Sequence, residues 1–268
     1  MSADEIFVEL AALPEVEAVA LGGSRASGKY DEKSDYDVYV YILSDIPEET
    51  RRAILSKYCS AAEIGNRFWE TEDNVTLSDG TDMDIIYRRL DDFAEEVADV
   101  AERFSAHNGY TTCMWHNLKQ CRVITDKNGR LAEAKRRFDI PYPERLRQNI
   151  IERNMHLISG SLPSYDAQIA KACGRKDRNS INHRITEFMA SYFDVIFALN
   201  RMTHPGEKRL VSICREQCAF LPRDFEGNLN SLFTASGNAE YDNIPLIVKR
   251  IAEELKNTAE EESKRRPV

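Results

Sequence analysis

The chain has 268 residues, of which 42% are hydrophobic and 30% are charged. These proportions are typical of a globular protein with one large or two modest domains. No part of the sequence approaches the ~20 continuous apolar residues of a membrane-spanning helix. The acidic N-terminus also lacks the basic and apolar regions of a signal peptide. We therefore expect a cytoplasmic protein that does not contact membranes.

The charge is distributed unevenly along the chain. A formal net charge of −9 argues against a protein that binds nucleic acid through its phosphates. Residues 1–100 carry 24 acidic and 9 basic side chains, whereas residues 101–268 carry 21 acidic and 27 basic ones. This asymmetry suits a site where carboxylates hold metal ions and basic side chains meet phosphate, although two ordinary domains would show it too. The 6 cysteines form no C-x-x-C pair, and we expect reduced thiols.

The first half of the sequence alternates between helical and extended patterns. Ser2 and Glu5 form a capping box, and Asp79-Gly80 is typical of a tight turn between two strands. In chain order, the predicted elements are a helix ending at Pro14, strands at 16–21 and 37–43, a helix at 47–60, extended segments at 64–71, 74–77 and 82–87, and a helix at 91–104. This order predicts an α/β (α+β) domain with a small mixed sheet.

After about residue 140 the apolar periodicity is helical throughout. Pro143 opens one helix and Gly160 closes it, and the sequence His204-Pro205-Gly206 separates two later helices. The predicted helices span residues 143–160, 178–200, 207–220 and 244–262, with residues 260–266 as a frayed polar tail. We therefore predict two domains, 1–140 and 141–268, the second an all-α helical bundle.

The most informative stretch combines the motifs Gly22-Gly23-Ser24 and, ten residues later, Asp35-Tyr36-Asp37. Alternate residues of a strand point the same way, so Asp35 and Asp37 project from one face. Two carboxylates so close repel each other unless cations lie between them. Gly22 and Gly23 allow backbone amides to approach phosphate oxygens, and Ser24 adds a hydroxyl donor. The stretch therefore predicts a site for magnesium and a polyphosphate.

A third carboxylate is expected from a neighbouring strand on the same face. Asp84, in the sequence Thr-Asp-Met-Asp-Ile-Ile-Tyr, is the natural candidate, and Asp82 lies on that face nearer the strand's end. Three such carboxylates can hold two magnesium ions, which bridge the attacking and leaving oxygens when a nucleoside monophosphate leaves a nucleoside triphosphate. The pattern therefore matches what nucleotidyl transfer needs.

These motifs resemble the signature of the nucleotidyltransferases of the DNA polymerase beta superfamily. That signature is a hydrophobic residue, Gly, Gly or Ser, about ten residues, and then Asp-x-Asp between hydrophobic residues. The chain shows it as Leu21-Gly22-Gly23-Ser24 and Asp35-Tyr36-Asp37-Val38, with Tyr36 bulkier than the usual aliphatic residue. The resemblance implies that Asp35 and Asp37 bind metal. It also implies that Asp84 completes the triad, either as a metal ligand or as the general base.

Residues 16–90 are similar to the small bacterial adenylyltransferases that modify lincosamide and aminoglycoside antibiotics, which also have a helical second domain. Residues 193–200 and 204–210 are similar to an uncharacterised bacterial group of such proteins. The resemblance implies transfer from ATP or another nucleoside triphosphate to a hydroxyl of a small molecule, with Mg²⁺ as cofactor. Nucleotidylation of a protein or an RNA end is an alternative, and so is a non-catalytic nucleotide-binding or antitoxin-like protein.

Several further side chains are candidates for contact with substrate. A basic residue in the first turn of a helix opposes the helix dipole, so Lys208 and Arg209 suggest a phosphate partner, although a solvated first turn is the ordinary alternative. Arg25 and Lys29 follow the glycine motif. The predicted nucleotide-binding residues are Gly22, Gly23, Ser24, Arg25 and Lys208. Candidates for contact with a base or an acceptor are Trp69, Glu63 and Glu70.

Overall fold

The computed structural model describes residues 3–26, 28, 34–67 and 70–265. Ser2, Lys29 and Trp69, for which the sequence suggests roles, lie outside these ranges. The chain divides into two compact units: Met1–Ala98 with Met114–Ile140, and Asp99–Cys113 with Pro141–Val268. The predicted division into domains 1–140 and 141–268 stays a prediction. Among the described helices, none has both the length and the apolar character needed to cross a bilayer.

The first unit is built on one six-stranded sheet. Its elements and their immediate neighbours are α1 (Ala3–Ala12), β1 (Val16–Leu21), α2 (Gly23–Ala26), β2 (Tyr36–Ile42), α3 (Glu48–Leu55), β3 (Cys59–Asn66), β4 (Thr71–Leu77), β5 (Asp82–Arg88), α4 (Leu90–Ala101), α5 (Cys113–Gln120), β6 (Arg122–Asp126) and α6 (Arg130–Arg137). The strand order is β3-β4-β5-β2-β1-β6. Only the β2–β5 pair is parallel among these described strands. This mixed sheet confirms the predicted α/β fold.

One face of the sheet packs against α1 and α3. Ile6 and Leu55 from these helices are buried in one apolar cluster with Val38 of β2 and Ile85 of β5. Because side chains alternate along a strand, the neighbour of Ile85, Asp84, points to the opposite face. The hydrophobic core on one side of the sheet thus directs the carboxylates to the other side.

The hairpin of β3 and β4 begins earlier than the sequence suggests. Helix α3 ends at Leu55 rather than near residue 60, β3 begins at Cys59, and the predicted strand at 64–71 is wrong in its bounds. Few residues near Cys59 have a strong strand preference, and pairing with β4 forms the strand instead. The turn at Asp79-Gly80 is confirmed, with Gly80 at φ +89°.

Three elements of the first unit, α5, β6 and α6, have no counterpart in the prediction. Strand β6 pairs antiparallel with β1 and closes one edge of the sheet. The Nζ atom of Lys135, on α6, donates hydrogen bonds to the carbonyls of Leu118, Lys119 and Cys121 at 2.7, 2.9 and 2.7 Å. The ammonium group therefore satisfies carbonyl groups at the end of α5, which the helix itself leaves without donors.

The second unit is helical, as predicted. Its elements are α7 (Glu144–Ile158), α8 (Tyr165–Gly174), α9 (Arg178–Leu199), α10 (Leu210–Gln217), α11 (Phe225–Gly237) and α12 (Ile244–Arg265). Residues 191–199 of α9 are all buried, which makes this helix the centre of the unit. Helices α8 and α11 were not predicted. Helix α10 begins at Leu210, so the predicted start at residue 207 is wrong.

A buried carboxylate explains why residues 99–113 belong to the second unit. Asp194, on α9, accepts hydrogen bonds from the backbone N of Thr111 at 3.1 Å and from its Oγ1 at 2.6 Å. It also accepts one from Nδ2 of Asn154, on α7, at 3.1 Å. Gly109 N donates to Asn154 Oδ1 at 3.0 Å. Burial raises the pKa of Asp194 to about 7, against the opposing effect of these hydrogen bonds.

The predicted fraying of residues 260–266 is wrong for the described part of that segment. Helix α12 continues to Arg265, and Glu262 has 0% exposure. Its Oε2 accepts from Nη1 of Arg147 at 2.9 Å, and its Oε1 accepts from Nη1 of Arg201 at 2.7 Å. Both arginines also donate to Glu144, at 2.6 and 2.9 Å. The polar sequence suggested a solvated tail, but partners distant in sequence bury and pair this charge.

Candidate active site

Asp35, Asp37 and Asp84 converge at one end of the β2–β5 pair. Each offers a carboxylate oxygen, and these three oxygens lie within 4.8 Å of one another. Asp37 and Asp84 are directly paired residues of the two parallel strands, and Asp35 lies just before β2. All three side chains are partly exposed. The group is therefore accessible from solvent and has the geometry that could hold a metal ion.

Two glycines lie directly against this group. Gly22 N donates a hydrogen bond to Asp37 O at 2.7 Å, which fixes the end of β1 beside β2. A Cβ at Gly23 would lie 1.7 Å from Asp37 Oδ2, and a Cβ at Gly22 would lie 2.3 Å from Tyr39 Cε2. Gly23 also has a φ of +58°, which favours glycine. Glycine is therefore needed here for close approach to the carboxylate itself, as well as for any approach to phosphate.

Arg25 contacts the backbone that carries Asp35. Its Nε donates to the carbonyls of Ser34 and Asp35 at 2.9 and 3.1 Å, and its Nη2 donates to Ser34 O at 2.6 Å. The guanidinium carbon lies 3.8 Å from the centroid of the Tyr36 ring, which in turn meets the ring of Phe7 edge-on. The bulky Tyr36 is thus accommodated between a cation and an aromatic ring. Arg25, predicted to bind nucleotide, holds the segment before β2 in this structure.

Asn74 is part of the site, and sequence reasoning missed it. Its Nδ2 donates to Asp84 Oδ1 at 2.8 Å across the β4–β5 pair. A lone asparagine in a strand belongs to no motif, and only the pairing register identifies it. On the same strand, the pKa of Glu72 is raised by burial and by the negative charges of Asp84 and Glu70. The charge of Asp84 therefore contributes to the electrostatic environment of Glu72.

The remaining candidates have different surroundings. Asp82 is exposed, accepts a hydrogen bond from Thr76 Oγ1 at 2.9 Å, and is not part of the group of converging carboxylates. Glu70 forms an ion pair of 2.7 Å with the buried Arg88. Glu63 is exposed on β3. A contact between these side chains and an acceptor stays a prediction.

Ser24 belongs to the same unit as the aspartates, whereas Lys208 belongs to the other unit. Ser24 lies in α2, directly after Gly23, and is partly buried. Lys208 is exposed in the second unit, two residues before α10 begins. Helix α10 starts at Leu210 with Arg209 at its N-cap, so Lys208 directly precedes the helix rather than lying in its first turn. Nucleotide binding by Ser24 and Lys208 stays a prediction.

The chain was compared with families of known proteins. Residues 3–107 match the family described as a nucleotidyltransferase domain. The chain carries a nucleotidyltransferase domain. This match covers the glycine motif and all three aspartates, and it supports an enzyme of the nucleotidyltransferase class. Residues 111–210 of the chain match a second family, described as a domain of unknown function (DUF4037).

Two solved structures resemble the nucleotidyltransferase weakly. A nucleotidyltransferase-like protein from Exiguobacterium sibiricum is 10% identical, with 98% of this chain and 79% of that chain covered and a TM-score of 0.41. An aminoglycoside 6-adenyltransferase from Bacillus subtilis is 11% identical, with 98% and 95% covered and a TM-score of 0.29. At these scores the likeness does not bear on reaction or acceptor. A comparison with curated proteins gives no match.

Proposed function

We propose that this nucleotidyltransferase transfers a nucleoside monophosphate, with ATP as donor, to a hydroxyl of a small molecule, and that the reaction depends on magnesium held by Asp35, Asp37 and Asp84. One observation carries the proposal, namely that an oxygen from each of these carboxylates lies within 4.8 Å of the other two. Magnesium takes oxygen ligands and keeps several waters, so three partly exposed carboxylates suit it. Without a cation, three like charges at this separation would repel one another.

The glycine motif supports the same assignment. A Cβ at Gly23 would overlap Asp37 Oδ2. Glycine at this position therefore keeps the space beside the carboxylates open. Two magnesium ions bound by the aspartates would neutralise the triphosphate and align the attacking and leaving oxygens. Gly23 and Ser24 hold the β- and γ-phosphates in this proposal. The acceptor hydroxyl loses its proton to solvent as its oxygen attacks the α-phosphorus in line, and pyrophosphate leaves when the bond from the α-phosphorus to the bridging oxygen breaks.

Electrostatics favours a cationic small molecule as acceptor. The whole chain has a formal net charge of −9, which repels polyanions such as nucleic acids. Near the aspartates, burial first and then the charges of Asp84 and Glu70 raise the pKa of Glu72, so acidic side chains lie close to one another in this part of the sheet. Such a region attracts amino groups on a substrate. We therefore propose an amine-bearing acceptor with free hydroxyls, such as an aminoglycoside or a lincosamide.

The substitution Asp37→Asn tests the proposal. Loss of one carboxylate should reduce nucleotidyl transfer by orders of magnitude while the fold is retained, because the ligand set is incomplete. Transfer is measured with α-labelled ATP and Mg²⁺, and folding by circular dichroism. Asp82→Asn is the matched control, since Asp82 is exposed and outside the converging group. Full turnover by the Asp37 variant would contradict the metal assignment.

The acceptor class is tested separately with the same labelled ATP. A panel of amine-bearing small molecules is incubated with enzyme, and a cell lysate is treated in parallel. Label on small molecules alone supports the proposed acceptor. Label on proteins or RNA ends would instead identify macromolecular nucleotidylation, and Mg²⁺-dependent ATP binding without any transfer would favour a non-catalytic binding protein.

A further inference from the structure

Strand β4 connects a buried polar cluster on one face of the sheet to the aspartates on the other. Asp73, which has 0% exposure, accepts hydrogen bonds from the guanidinium of Arg51 and from Tyr87 OH, the latter at 2.9 Å. It also accepts one from Gly65 N at 2.8 Å. Its neighbour Asn74 points to the opposite face because side chains alternate along the strand. The buried cluster therefore fixes the position of β4 next to Asn74.

The bond to Gly65 also shapes strand β3. The register of β3 against β4 shifts between Ile64 and Asn66, and Gly65 within this irregularity has a φ of +79°. Such bulges redirect the side chains that follow them. Here the following residue is Asn66, whose Nδ2 donates to Asn74 Oδ1 at 2.9 Å. Asn74 Nδ2 in turn donates to Asp84 Oδ1 at 2.8 Å.

We call the hydrogen-bonded series Asn66, Asn74 and Asp84 the relay. The chemistry of its side chains determines which group donates and which accepts in each of its hydrogen bonds. An ionised carboxylate only accepts hydrogen bonds, so Asn74 must present its amino group to Asp84. Its carbonyl oxygen then faces Asn66, which supplies a donor to it. Asn66 therefore prevents the amide of Asn74 from rotating to place its oxygen against the carboxylate.

The relay has a consequence for the third aspartate. Rotation of an aspartate carboxylate about χ2 is broad in the absence of a specific contact. The bond from Asn74 selects one rotation and occupies Oδ1 of Asp84. Groups that orient the ligands of a metal in this way commonly determine how tightly the metal is bound.

We propose that Asn74 is a positioning residue: oriented by Asn66, it holds the Asp84 carboxylate at the rotation that completes the metal-binding triad. This inference rests on the proposed function, because it assumes that Asp84 binds a divalent cation. A residue with only a structural role would alter stability and leave metal affinity unchanged in the folded protein.

The same pair of strands provides a matched control. Thr76 Oγ1 donates to Asp82 Oδ1 at 2.9 Å, two residues along both strands from the Asn74–Asp84 bond. This second bond also joins β4 to β5 but ends on an aspartate outside the converging group. Removing it tests the effect of losing a cross-strand side-chain bond without disturbing Asp84.

The experiment measures binding of Mn²⁺ to the full chain by calorimetric titration, for wild type, Asn74→Ala, Asn66→Ala and Thr76→Ala. We expect Asn74→Ala to weaken Mn²⁺ binding by about 10–100-fold. Asn66→Ala should have a smaller effect in the same direction, and Thr76→Ala should bind as wild type does. In the transfer assay, high Mg²⁺ should restore the turnover of Asn74→Ala, because the loss is one of affinity.

Each outcome distinguishes the inference from the proposed function. Wild-type Mn²⁺ affinity in folded Asn74→Ala would overturn the positioning role and leave the proposed function intact. If Asn74→Ala does not fold, Asn66→Ala decides in its place, and unchanged affinity in that variant overturns the proposal. Equal weakening in Thr76→Ala would also overturn it. Absence of Mn²⁺ binding by wild type would contradict the proposed function itself.

Discussion

The two units use acidic side chains in opposite ways. In the first unit, Asp35, Asp37 and Asp84 are partly exposed and bring their oxygens within 4.8 Å of each other. In the second unit, Glu262 is fully buried and bonded to Arg147 and Arg201. A buried charge that has arginine partners stabilises its own fold. Carboxylates that face one another at an accessible strand end cost electrostatic free energy, and in the proposed function a cation from outside the chain offsets this cost.

The largest effect is expected from removing one charge of the second unit. Glu262→Gln should lower the free energy of unfolding by about 3–5 kcal/mol, because at least one buried arginine loses its ionised acceptor. Urea denaturation measures the change. The contrasting variant, Asp84→Asn, should change stability by about 1 kcal/mol or less, since it relieves repulsion and keeps an oxygen for Asn74. Similar losses in both variants would show that the two groups have the same role.

A smaller effect, mainly on activity, is expected at Gly23, where the φ of +58° adds some backbone strain to any substitution. In Gly23→Ala the new Cβ would lie 1.7 Å from Asp37 Oδ2, so that the carboxylate must move. A displacement of about 1 Å at a reacting centre can cost about 100-fold in rate, and we expect a loss of that size. Gly174→Ala is the control, because a Cβ at that helical position would meet no atom within 4 Å beyond its own turn of helix. Steady-state transfer assays on both variants measure the difference, and equal activity would contradict the proposed crowding.

The smallest effect concerns Asp194, a buried carboxylate bonded to the neutral donors of Thr111 and Asn154. Burial raises its pKa in the folded state from 3.8 to about 7. Between these two pH values the folded protein holds a proton on Asp194 that the unfolded chain releases. The free energy of unfolding therefore falls as pH rises through this window. The slope is at most ~1.4 kcal/mol per pH unit. Urea denaturation measures the free energy of unfolding of wild type minus that of Asp194→Asn. We expect this difference to be larger at pH 5 than at pH 8. A difference independent of pH would contradict the raised pKa.

Local sequence was sufficient to find the aspartates. The spacing of Gly22-Gly23-Ser24 from Asp35 and Asp37 is short, and strand alternation alone places the latter two on one face. Asp84 could be proposed because another predicted strand, with an aspartate on the matching face, follows in the sequence. The direct pairing of Asp84 with Asp37 could not be predicted, because the sequence does not specify which strands become parallel neighbours.

Features that depend on distant pairing were missed for the same reason. Strand β6 forms because it meets β1, which lies about a hundred residues earlier in the chain. Asn74 acquires its role from the register of β4 against β5, and Glu262 from arginines more than 60 residues away. Each of these residues is unremarkable in its local sequence. Local pattern therefore predicts which chemistry is present, whereas tertiary pairing decides which groups assist it.

The path of the chain between the two units has a practical consequence. The polypeptide enters the second unit at Asp99–Cys113, returns to the first at Met114–Ile140, and ends in the second. A single proteolytic cut or gene fusion point therefore cannot release either unit intact. Expression of residues 1–140 alone would leave Thr111 and Gly109 without Asp194 and Asn154, and residues 141–268 alone would expose a buried carboxylate. Any natural recombination that exchanges one unit must carry part of the other with it.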